Sequence, residues 1–237
     1  MVKVNSALLL YFTAFVLYVI AVLIGSDNLE LFSKPIIIPS IFYYYYISVR
    51  GRIDYLFSFS VLSFFIGEIL HLISREDFLI SGLLFLLIPY FIVLYFIFQD
   101  LIYYLKKKKI KLNTFSFYIV ITLLVYLFFS VLMMMVEENS IEFFIYALYG
   151  ITLVLMGVLA FVMQINYSNK TILFTGLMVV SFIVSDLFFV FYKKLPDLVA
   201  LKMINVTTQE LSFFCYISYF IYRTKFKLYG KGNIQNR

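Results

Sequence analysis

Three acids, Glu68, Asp186 and Glu210, lie inside long apolar runs, and His71, the only histidine, follows Glu68 three residues on. A carboxylate or imidazole at bilayer depth costs at least a few kcal/mol unless a partner or an aqueous cavity receives it, so each is a functional candidate. These groups exchange protons, so the chemistry they suggest is acid–base. No nucleophile elbow, Walker loop, dinucleotide fingerprint or HExxH pattern offers another. One Glu68-x-x-His71 pair falls short of a diiron set, which needs two such pairs and further carboxylates, so neither a metal nor a cofactor is expected. The remaining acids, Glu30 and Asp100 among them, are expected in joints or at helix ends.

Structural roles compete with each of these readings. Glu68 and Asp186 could be interhelical ion-pair or hydrogen-bond partners, and His71 an interfacial hydrogen-bonding residue. Glu210 follows "NVTTQ", which reads as a capping segment, so it could sit in the first turn of a helix beginning near Leu211.

The elements that carry these residues follow from composition. With 64% hydrophobic and 21% aromatic residues and a mean hydropathy of +1.00, the chain reads as an integral membrane protein. Windows of about 20 apolar residues, the length that crosses a bilayer as a helix, fall at 7–25, 35–49, 54–73, 78–98, 115–135, 142–165, 171–192 and 202–222. The fold expected is an all-α, polytopic membrane helix bundle of about eight transmembrane helices in a single transmembrane domain, 1–237. The second window opens on Pro35 and Pro39, which a first helical turn tolerates. The N-terminal run is too long for the apolar part of a signal peptide and reads as the first span.

Basic residues orient the bundle. Lys34, Arg75, Lys193, Lys194 and Lys202 fall on one face, and the rest of the 19 Lys and Arg on the face shared by both termini, which places both termini in the cytoplasm. The "LKKKKIKL" run reads as an anchor to anionic lipid and not as a nucleic-acid patch. Cys215 has no cysteine partner, so a disulfide within the chain is excluded. In this topology Glu68, His71, Asp186, Glu210 and Lys34 share one depth in the outer part of the bilayer.

"KPIIIPS", "FSFSVLSFFIGEILHL", "FLISGLLFLLIPYFIVLYF" and "TGLMVVSFIVSDLFFVFYKKL" resemble, in order and spacing, segments of the YhhN family of membrane proteins, which includes lysoplasmalogenases. The likeness covers about residues 33 to 225. Lys34-Pro35 matches the family's Lys-Pro, Gly67 the glycine of its Gly-Asp, Ser185-Asp186 its Ser-Asp, and Tyr216 one tyrosine of its Tyr-Tyr-x-x-Gln. Glu68 stands where the family has aspartate, Pro89-Tyr90 where a histidine is common, and Tyr219 where it has glutamine.

The resemblance implies hydrolysis of the vinyl ether of a lysoplasmalogen, releasing a fatty aldehyde and glycerophospho-ethanolamine or -choline. A proton delivered to the β-carbon gives an oxocarbenium ion; water captures it and the hemiacetal collapses. This asks for one protonated and one ionised carboxyl, a split that two carboxyls in a low-dielectric pocket provide. Glu68 and Asp186 are the expected catalytic pair. Lys34 is expected to meet the phosphate, with His71, Ser185, Tyr216, Tyr219 and Glu210 around the substrate. The expected partner is a lysophospholipid or related single-chain amphiphile among membrane lipids, with no nucleic acid, in a bacterial plasma membrane. The alternatives are a non-catalytic lipid-binding or lipid-translocating protein of the same fold and a proton-coupled transporter.

Overall fold

The computed structural model describes residues 5–73, 78–106, 114–135, 140–196 and 198–232. Eight α-helices and no strands occur among them: α1 Ser6–Ile24, α2 Asp27–Ser48, α3 Tyr55–Ile73, α4 Leu79–Leu105, α5 Thr114–Met134, α6 Ser140–Asn166, α7 Lys170–Lys194 and α8 Val199–Gly232. Each expected span falls on one helix. Six of them, all but α2 and α8, are long and apolar enough to cross a membrane, the hallmark of an integral membrane protein. The basic run beyond Lys106 and the residues Arg75, Glu76, Asp77, Glu137, Glu138 and Asp197 lie outside the described residues.

Local sequence explains the joint between α1 and α2. Gly25 takes the left-handed conformation (φ 65°) that a glycine adopts without Cβ strain, and its N–H bonds Ala21 O. Asp27 and Glu30 then place negative charge in the first turn of α2, where the helix dipole favours it. The helix therefore begins well before Pro35, and both prolines lie inside it. Glu30 lies at a helix end, as expected. Asp100 departs from expectation: α4 runs on to Leu105, leaving Asp100 inside a helix and buried.

The chain divides into two compact units. α1, α2, α7 and α8 form the first (Met1–Tyr55 and Asn169–Arg237), and α3 to α6 the second (Leu56–Ser168). In the first, the α7–α8 hairpin packs most extensively, followed by α1–α2, and α8 also packs on α1 and α2. In the second, α6 packs on both α4 and α5. α3 meets α4 where side chains are missing. A Cβ on Gly82 would come within 2.5 Å of His71 Nδ1, and one on Gly67 within 2.7 Å of Leu86 Cγ. The glycine of the Gly67-Glu68 pair is thus needed for close helix approach.

Candidate functional site

Four contacts fix the first unit's helices in register. Lys34 Nζ lies 5.5 Å from the centre of the Tyr18 ring, joining α2 to α1. Lys202 Nζ meets Glu30 Oε1 at 2.7 Å, joining α8 to α2. Asn205 Nδ2 donates to Ser185 O at 2.8 Å and to Ser185 Oγ at 3.1 Å, joining α8 to α7. The Tyr11 hydroxyl donates to Glu210 O, joining α1 to α8.

These contacts define a level within the unit. Tyr18 lies seven residues, about 10 Å of helix, from Tyr11 towards the α1–α2 joint. Seven residues back from Glu210 on antiparallel α8 is Met203, between Lys202 and Asn205. Lys34, Glu30, Lys202, Asn205 and Ser185 therefore form one polar layer, and Asp186 follows Ser185 on α7 at that level. Asp186 is half-buried with Oδ2 enclosed. Glu30 precedes Lys34 by one turn, so both lie on one face of α2. The layer offers cationic and anionic groups side by side, as a zwitterionic ligand requires.

Of the expected site residues, Lys34, Ser185 and Asp186 lie in this layer. Glu210 belongs to the same unit about 8 Å further along α8. It is the twelfth residue of that helix and only 1% exposed, so the reading of it as a first-turn residue of a helix beginning near Leu211 is corrected. "NVTTQ" is helical because α8 packs along α7 over this stretch, and tertiary packing overrides the capping signal. Tyr216 and Tyr219 are buried about 17 and 21 Å along α8 from Asn205. Their rings pack edge-on against Phe220, and that of Tyr216 also against Phe182.

Glu68 and His71 belong to the second unit. Glu68 is 5% exposed, and His71, one turn on, has both ring nitrogens enclosed at the α3–α4 crossing, beside Gly82. Among the described residues, no three His, Cys, Asp or Glu side chains gather as metal ligands would. Cys215 is buried and free.

No protein-family model, curated protein or solved structure matches this chain. The site is therefore read from its own geometry and from the sequence resemblance. Glu30, Asn205 and Lys202 are layer members that the sequence reading did not select. Glu30 and Lys202 carry opposite charges at the facing ends of α2 and α8, a signal that becomes legible only once those helices are known to be neighbours.

Proposed function

We propose that all eight helices cross the membrane with both termini in the cytoplasm, and that the chain is a lysoplasmalogenase-like membrane hydrolase acting on single-chain lysophospholipids. At 22 residues α2 is about 33 Å long, sufficient for the crossing. The observation that carries the reading is the polar layer of the first unit, where Lys34 and Lys202 offer cations to a phosphate and Glu30 and Asp186 offer anions to an amine. By the basic-residue bias this layer lies towards the outer leaflet, open to an amphiphile entering from the bilayer. The resemblance supports a bacterial plasma membrane as its location.

In this reading Asp186 exchanges protons at the vinyl ether; Glu68, the other expected carboxyl, belongs to the second unit, and Glu210 is an acid that the first unit itself supplies. The test is aldehyde release from a vinyl-ether lysolipid by the purified protein, beside Glu68→Gln, Asp186→Asn and Glu210→Gln. Loss of a general acid or base costs about 10²–10⁴-fold in rate. Loss in Asp186→Asn and Glu68→Gln alone supports the expected pair; loss in Asp186→Asn and Glu210→Gln with Glu68→Gln active moves the reaction into the first unit. A folded parent that releases no aldehyde overturns the hydrolase.

The same layer favours a second reading as a head-group binding site without turnover, since its cations and anions recognise a zwitterion whether or not a bond is broken. Retention of intact lysolipid by the purified parent, lost in Lys34→Met, is the outcome that selects it.

A further inference from the structure

Beyond the polar layer, α8 carries a buried polar stripe. From Asn205 the residues Gln209, Ser212, Tyr216, Tyr219 and Arg223 follow at alternating steps of four and three, and Lys202 precedes them by three. Steps of three and four keep a residue on one face of a helix. From Lys202 to Arg223 the stripe is about 31 Å long, matching the ~30 Å hydrocarbon core of a bilayer. It is enclosed for most of that length: Ser212 and Tyr219 are 0% exposed and Arg223 is 4% exposed.

The stripe runs along the seam where α8 meets α2 and α7. Glu30 of α2 holds its first member, Ser185 of α7 its second, and Phe182 of α7 packs on Tyr216. These two helices also bury Ser33, Ser40, Thr175 and Ser181. At the far end the buried Tyr45 hydroxyl accepts from Asp54 N at 3.2 Å and shares a hydrogen bond with the Thr224 side chain, beside Arg223. Asp54 and Arg223 act on that hydroxyl with opposite charge, so the inner end does not present the lone cation that would repel a proton.

We infer that this stripe is a proton-transfer path through the first unit, from the Lys202–Asn205 layer to the Tyr45–Asp54–Arg223 cluster. Size decides the species. Side chains this enclosed leave no room for a head group or hydrated ion to pass, whereas a proton needs only successive groups that both accept and donate. Hydroxyls do both: Ser212, Tyr216 and Tyr219 each take one proton as they release another and finish unchanged. The inference does not depend on hydrolysis of any lipid.

The test uses the full chain in vesicles with a trapped pH-sensitive dye and no lysolipid, with a potassium diffusion potential imposed by valinomycin. The parent is expected to move protons faster than protein-free vesicles, and Ser212→Ala/Tyr219→Phe to fall to the protein-free rate. If that double variant does not fold, Tyr219→Phe alone carries the same expectation. Ser60→Ala, a buried serine of the second unit, is expected to keep the parent rate. A parent no faster than empty vesicles overturns the path. So does a folded stripe variant that keeps the parent rate while its thermal midpoint shifts, the result expected if the stripe only holds helices together.

Discussion

In the first unit polar contacts join the helices, namely the Ser185–Asn205 clasp, the Tyr11 bond to Glu210 O, the Lys202–Glu30 ion pair and the Lys34 ammonium over Tyr18, beside aromatic ones such as Phe12–Phe214 and Phe174–Tyr222. In the second, aromatic and steric contacts stand out. Phe64 and Tyr149 each meet Tyr90 edge-on, and Gly67 and Gly82 let α3 and α4 approach. The Tyr149 hydroxyl also donates to Leu83 O at 2.9 Å. Lipid gives no hydrophobic drive for helix association, so bundles depend on close packing, on hydrogen bonds, or on both. Close packing is prominent in the second unit; the first adds interhelical hydrogen bonds and an ion pair to its aromatic packing.

The largest effect on stability is expected from volume in the second unit. Gly82→Val drives atoms into the His71 ring and should cost about 1–3 kcal/mol, read as a fall in thermal midpoint in detergent. Tyr90→Leu removes both edge-on contacts, each worth about 0.5–1.5 kcal/mol, and should come close behind. Asn205→Ala in the first unit should cost less, about 0.6–1.7 kcal/mol, the range for interhelical hydrogen bonds in a membrane bundle. A larger loss from Asn205→Ala than from Gly82→Val would reverse the comparison.

The Lys202–Glu30 pair is partly exposed, with side chains 27% and 13% accessible. A double-mutant cycle of Lys202→Met with Glu30→Gln should give a coupling of about 0.2–1 kcal/mol that weakens with added salt. The smallest effect belongs to α5, where the ring of Tyr126 is turned outward. That residue is 70% exposed, and Tyr126→Phe should change stability by less than about 0.5 kcal/mol.

Apolar run length located eight helices, six of them long and apolar enough to cross a membrane, because a crossing helix must be apolar for about 20 residues whatever it packs against. Helix ends were less legible. Pro35 reads as a beginning, yet Gly25 and the acids of the first turn start α2 at Asp27; the charge of Asp100 reads as an end, yet α4 continues past it. In the candidate site, Lys34, Asp186 and Glu68 stand out because each is costly in an apolar run. Asn205, Ser212 and the rest of the α8 stripe do not, because single amides and hydroxyls are cheap in a helix and become noticeable only at their regular spacing.

Composition and run length by themselves determined an all-helical chain made for a membrane, since both depend on the sum of side-chain transfer energies and not on contacts. Which helices are neighbours depends on pairwise packing across long separations in sequence. Only the tertiary structure could therefore divide the chain into two units, assign Glu68 and Asp186 to different ones, and bury Glu210 in the middle of a helix that also carries a continuous polar stripe.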